Sequence, residues 1–191
     1  MSESITTTED LTHKTFWFLR HGETDWNAEG RSQGRTDIPL NQNGIEQGNR
    51  AAKTLRHRGI RAIVSSPLIR ARDTASIVGE ALGLPVMLDE GLQEVSFGDQ
   101  EGQPMGNWYD DWIAGGYTPK GGETFADLKA RAVAAFNRAL TQPAPVLVIG
   151  HGAMFRALRA AMGLPPNVRT PNALPLLCHP GSAAWTLQAL G

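Results

Sequence analysis

Two histidines and two arginines stand where three apolar runs stop. "FWFL" (16–19) meets Arg20 and His21 at once, "RAIVSS" (61–66) leads within a turn to Arg70, and "APVLVIG" (144–150) runs into His151. Guanidinium forks suit the oxygens of a phosphate or a carboxylate. The imidazoles can supply a nucleophile and a charged donor, and their cationic neighbours favour a neutral ring on at least one of them, the form a nucleophile needs. Arg72, two residues beyond Arg70, points to roughly the opposite helix face and cannot serve the same ligand. His21 and His151 lie far apart in sequence with no His-x-x-x-His and no carboxylate triad, so the spacing offers no metal site. The pattern implies an anion site.

Something must hold these groups together. Short apolar runs alternate with longer helical stretches, which predicts an α/β domain. Strands are expected at 15–19, 61–66 and 144–150, with a further extended segment in "LPVMLDEGLQEV" and a last, edge-proximal strand in "AAWTLQAL". Asn41 or Asn43 is read as the cap of a helix closed by Gly59. Ser66 is read as the N-cap of the next helix, Pro67 as its first position and Gly83 as its C′ residue. Thr124 and Asp127 mark another helix start, and "HGAMFRALRAAMG" a further helix ending at Gly163. Residues 98–122 read as an irregular, lid-like loop, and 164–181 as a Pro-rich connection. Taken as parallel neighbours, the three principal strands bring both histidines and both arginines to one rim, where open α/β sheets bind ligands.

Bulk composition narrows the classes. The chain has 191 residues, 41% hydrophobic, with 18 Lys+Arg against 19 Asp+Glu, enough for one sizeable domain and without a global field for nucleic acid or an anionic membrane. Cys178 is the only cysteine, which rules out an internal disulfide framework and reads as inert. No apolar stretch approaches the ~20 residues of a membrane span, and the start lacks the apolar core of a signal peptide. The expectation is a cytoplasmic protein with a flexible polar tail over 1–14 and one domain over 15–191, its oligomeric state open, a homo-oligomer included.

"LRHGETDWN" (19–27) resembles the signature of the histidine phosphatase superfamily, which contains the cofactor-dependent phosphoglycerate mutases and their phosphatase relatives. Five further blocks follow in the family's order: "QGRTDIPLNQNGIEQ" (33–47), "SSPLIRARDTA" (65–75), "EVSFGDQEG" (94–102), "GGET" (121–124) and "VIGHGAMFRAL" (148–158). The resemblance implies a three-layer α/β/α sandwich with a mostly parallel central sheet, and a two-step phosphoryl transfer. His21 would take the phosphoryl group as phosphohistidine. Arg20, Arg70 and His151, with Gly152 beside it, would surround the phosphoryl oxygens, and Asn27, Gln33 and Gly34 would add polar contacts. Glu94 would protonate the leaving oxygen and then assist water, with Glu101 as the competing acid. No cofactor and no metal is implied.

The remaining polar residues have ordinary readings. His13, His57 and His179 are read as structural or surface residues, and Arg31, Arg35, Arg72 and Arg156 as surface or structural ion pairs. Trp108, Tyr109 and Trp112 are read as packing the lid on the core rather than walling a substrate. Glu123 and Thr124 are candidates for substrate contact or helix capping, and Asn172 falls at a loop position that fits the family. Only 56 residues (95–150) separate Glu94 from His151, which resembles the short phosphatase branch rather than the longer mutases. The resemblance therefore favours hydrolysis of a small phosphorylated metabolite. A phosphoglycerate mutase-type transferase is the alternative, and a non-catalytic phosphate-binding module the second.

Overall fold

The computed structural model describes residues 9–190. Its centre is a six-stranded sheet in the order β3-β2-β4-β1-β5-β6, made of β1 (Phe16–Arg20), β2 (Ala62–Ser65), β3 (Val86–Leu88), β4 (Val146–Gly150), β5 (Leu176–Pro180) and β6 (Trp185–Ala189). The first four in the sheet order run parallel, while β5 pairs antiparallel with both β1 and β6. Strand alternation explains why the central strands are apolar throughout. Phe16 and Phe18 of β1, with Val146 and Val148 of β4, enter one core; Trp17, Leu19, Leu147 and Ile149 enter the other.

Helices cover both faces. The short α1 (Asp25–Ala28) follows β1, and α4 (Trp108–Ile113) lies within the lid-like segment. α2 (Gln42–Leu55) and α3 (Ile69–Leu82) pack together over the second core, and α5 (Phe125–Ala139) and α6 (Gly152–Ala161) over the first. This is the three-layer α/β/α sandwich. Among the described residues no helix is long and apolar enough to cross a membrane.

Several local expectations are corrected. Residues 1–8 of the expected tail lie outside the described residues, but 10–14 are anchored: Leu11 is buried in the core, the Thr12 N–H donates to Asn137 Oδ1 and Lys14 Nζ to the Leu140 carbonyl. The connection 164–181 contains a strand, β5, whose Cys178 pairs with Phe16 and is fully buried. Extended structure after Gly83 stops at Leu88, because Asp89 turns to accept from the Gly91 N–H and to bind Arg138, starting a 3₁₀ turn at Glu90–Leu92. α2 ends before Gly59, at Leu55. Ser66 does not cap α3: the helix begins at Ile69, whose N–H donates to Asp37 Oδ1 from another segment.

Candidate active site

The carboxyl ends of β1, β2 and β4 lie side by side, in the register Leu19–Ile149–Ser65, and the polar residues that follow them converge. A cleft of about 680 Å³ opens there, lined by Arg20, His21, Asn27, Gln33, Gly34, Arg70, Glu94 and Gly152 among others. His151 is fully buried beside His21, with the two ring centroids 5.3 Å apart. All nine predicted site residues therefore meet in one place.

His21 is held from every side. Its N–H donates to the Gly150 carbonyl, its carbonyl accepts from Asn172 Nδ2, and the Gly22 N–H donates to Thr74 Oγ1. The Glu23 N–H donates to Gln47 Oε1, and Thr24 forms a capping box with Asn27 at the start of α1. Gly22 sits so close to Gly44 at the start of α2 that a Cβ on it would overlap the Gly44 carbonyl, which is why the turn needs glycine. Within this frame His21 Nδ1 donates to the Gly22 carbonyl at 2.7 Å. That bond puts the ring proton on Nδ1 and leaves the Nε2 lone pair free. Burial, then Arg70 and Arg20, hold the imidazole well below the usual histidine range, so it is neutral at physiological pH.

Around it stand unsatisfied donors. Arg20 gives one terminal nitrogen to the Thr170 carbonyl, and Arg70 gives both of its own to the carbonyls of Thr36 and Gly34. The Nε atoms of both, and His151 Nδ1, are buried without any partner. Buried polar groups are almost always paired, so three such atoms on the neighbours of His21 point to an anion site. Burial lowers the Arg20 guanidinium to about 10, against the opposing pull of Glu94, and leaves it charged at neutral pH. Gly152 starts α6 against the Arg20 guanidinium, with a Cβ position 3.4 Å from Arg20 Nε.

Glu94 occupies the N-terminus of α6. Oε1 accepts from the Val95 and Met154 N–H groups and Oε2 from that of Ala153. Among the described residues Oε2 accepts this one bond only, and Glu94 lines the cleft. The backbone carbonyl of Glu94 is gripped by Arg35 and Arg131, and Arg131 also binds the carbonyls of Gly91 and Gln93 and both oxygens of Glu123. Glu101 acts elsewhere. Its carboxylate accepts from the N–H groups of Arg35, Thr36 and Phe97 and from Thr36 Oγ1, shaping the Gly34 loop.

Among the described residues no three His, Cys, Asp or Glu side chains gather as metal ligands would. The family model for the histidine phosphatase superfamily, branch 1, matches residues 16–178. The chain belongs to the histidine phosphatase superfamily. It is 36% identical to a glucosyl-3-phosphoglycerate phosphatase of Mycolicibacterium vanbaalenii, over 90% of this chain and 82% of that protein. It is also 36% identical to a probable phosphoglycerate mutase of Yersinia pestis, over 79% and 76%. Mycobacterial glucosyl-3-phosphoglycerate phosphatase solved with VO3 superposes with a TM-score of 0.78 at 31% identity, over 93% of this chain and 99% of that one. The Entamoeba histolytica phosphoserine phosphatase in complex with 3-phosphoglyceric acid superposes with a TM-score of 0.79 at 26% identity, over 93% and 96%.

The phosphatase reading of the sequence stands with the family, and the mutase alternative is less favoured. Sequence reasoning misses other residues at the site. Ser66 turns its hydroxyl to His151 Nε2 at 2.7 Å rather than to a helix end. Arg156, expected in an ion pair, lines the cleft instead, donating to Asn167 Oδ1 and lying over the Tyr109 ring. Arg131 is interior to a helix pattern and signals nothing until the fold brings it under Glu94. Arg31, Arg35 and Arg72 do form ion pairs, with Glu29, Glu123 and Asp73. Trp112 and Tyr109 are buried in the core as expected, although Tyr109 also lines the cleft.

Proposed function

We propose that this phosphatase hydrolyses small phosphomonoesters through a phosphohistidine on His21. The observation that carries the reading is the free His21 Nε2 facing three buried donors that lack partners, Arg20 Nε, Arg70 Nε and His151 Nδ1. Nε2 attacks phosphorus, the P–O bond to the alcohol breaks, and Arg20, Arg70 and His151 take the charge on the equatorial oxygens. Glu94 gives a proton to the leaving oxygen. In the second step it takes a proton from water as that water attacks the phosphoenzyme, and inorganic phosphate leaves. Asn27, Gln33, Gly34 and Gly152 line the cleft around the phosphoryl position.

The outer cleft supports a narrower substrate class. Arg156 lies one turn along α6 from Gly152, about 6 Å further out, and Arg169 lines the same opening. Among the described residues neither has a carboxylate within ion-pair distance. Once a phosphoryl dianion engages Arg20 and Arg70, this surplus of cations favours a second anionic group on the substrate, a carboxylate above all. The relatives named for glucosyl-3-phosphoglycerate and phosphoserine point the same way, since both compounds carry one.

Release of nitrophenol from p-nitrophenyl phosphate without added metal, with an acid-labile phosphoenzyme, is the expected result, and both disappear in His21→Ala. Undiminished turnover in that variant overturns the assignment. Efficient exchange of 2- and 3-phosphoglycerate with little hydrolysis would restore the mutase. For the substrate class, the ratio of kcat/KM for 3-phosphoglycerate over glycerol 3-phosphate is expected to fall in Arg156→Gln and Arg169→Gln; an unchanged ratio removes the acidic class and leaves the phosphatase.

A further inference from the structure

The proposed chemistry requires His151 to donate a hydrogen bond to the phosphoryl oxygens, yet everything around the ring disfavours its cationic form. It is fully buried, with Arg70 on α3, His21 and Arg20 at the end of β1, and Arg131 on α5 as its charged and titratable neighbours. Burial first, and these cations next, hold its imidazole well below the usual histidine range. A neutral imidazole carries one ring proton, so only one nitrogen can donate. The partner of the other nitrogen decides which.

Nε2 lies 2.7 Å from Ser66 Oγ, and Nδ1 has no partner within the described residues. Ser66 is itself fully buried, and its Oγ already accepts from the Leu68 N–H at 3.3 Å. Among the described residues the only acceptor within reach of the Ser66 hydroxyl proton is His151 Nε2. If Nε2 carried the ring proton, it would donate to Ser66 Oγ and the hydroxyl proton would be left buried without an acceptor, which is disfavoured. The opposite arrangement satisfies both groups: Ser66 donates to Nε2, and the ring proton sits on Nδ1.

We propose that Ser66 is a positioning residue that fixes His151 as its Nδ1–H tautomer, so that a neutral histidine donates to the phosphoryl group. The catalytic part of this inference rests on the phosphatase reading; the tautomer itself does not. The arrangement supplies a donor without a second positive charge beside His21, where an imidazolium would weaken the nucleophile. Among the described residues Ser66 Oγ accepts only from Leu68, just ahead of α3, while the first helical N–H, that of Ile69, goes to Asp37.

The test reads the tautomer directly. In free, ¹⁵N-histidine-labelled protein at neutral pH, His151 is expected to show a protonated, pyrrole-type Nδ1 and a pyridine-type Nε2. A spectrum with the proton on Nε2 overturns the proposal. Ser66→Ala is expected to lose this pattern and to lower kcat/KM for p-nitrophenyl phosphate at least tenfold, and by no more than the ~10²–10³ of deleting one oxyanion donor outright. Ser66→Thr, which keeps the hydroxyl, is expected to restore both. A Ser66→Ala protein that retains the Nδ1–H pattern and full turnover also overturns the proposal. If that variant fails to fold, the wild-type and Ser66→Thr spectra still decide. Failure of the phosphatase reading would appear separately, as hydrolysis surviving His21→Ala, and would leave the tautomer measurement intact.

Discussion

His21 and His151 are chemically identical side chains made different by what holds one nitrogen of each. Nδ1 of His21 is tied to a backbone carbonyl, which leaves Nε2 for the proposed nucleophile, while Nε2 of His151 is tied to a hydroxyl, which leaves Nδ1 for the proposed donor. Both rings are buried with depressed basicity, and this has a consequence for stability. Below about pH 6.5, the ordinary histidine value, the unfolded chain binds protons that the folded protein refuses, so stability falls as the pH drops. Urea unfolding is expected to give a lower midpoint at pH 5.5 than at pH 7.5. His151→Gln should narrow that gap, and a gap independent of the substitution would argue against a neutral, buried His151. Glu94 belongs to the same scale. Glu94→Gln is expected to lower kcat about 10²–10⁴-fold on an alkyl phosphate and much less on p-nitrophenyl phosphate, whose leaving group needs little protonation. Equal losses on both substrates would refute the proton-donor role.

Elements set the precision of this chemistry. The buried β1 brings Arg20 and His21 out on a rigid mount, and the following turn is locked against α2 by two facing glycines, Gly22 and Gly44, each with no room for a Cβ. Gly22→Ala is expected to cost about 1–3 kcal/mol, read as a lower melting temperature, and to reduce turnover through displacement of His21. A melting temperature matching the parent would mean that the turn relaxes freely. α6 contributes through its N-terminus, where Glu94 replaces a side-chain cap: His151 stands at the N-cap position without capping the helix. α5 acts from behind, since Arg131 clamps the carbonyls of residues 91, 93 and 94. The proposed general acid is thus placed by two helices from outside its own segment.

Over the entire fold, the two cores divide the work. The core under α2 and α3 is small and mostly aliphatic, while that under α5 and α6 carries the aromatic cluster of Phe97, Tyr109, Trp112 and Phe125, which packs the lid. Trp112 is fully buried and donates its indole N–H to the Glu123 carbonyl, in the residue whose carboxylate binds Arg131. Trp112→Ala is expected to destabilise the fold by about 3–5 kcal/mol and to raise KM more than it lowers kcat, because the cleft wall moves while His21 stays on β1. A change confined to kcat would place the lid in the chemical step instead.

The candidate catalytic set and the frame that presents it are legible in the amino-acid sequence alone. Strand ends can be read because an apolar run that stops at a polar cluster is a local signal, and six family blocks agree on their order. Residues whose importance comes from distant partners leave no such trace. Ser66 reads locally as a helix cap, and only the pairing of β2 with β4 places it against His151, 85 residues away. Arg156 reads as a surface cation until the fold sets it over Tyr109 and beside Asn167. β5 is hidden among prolines because its pairing with β1 is non-local. Residues 10–14 read as a tail because one leucine among polar neighbours carries no periodicity, yet the core has a place for Leu11. Residue types and their spacing thus define what chemistry is available here. Which nitrogen performs each part emerges only when the chain is folded, since a tautomer is set by a neighbour in space and not by a neighbour in the chain.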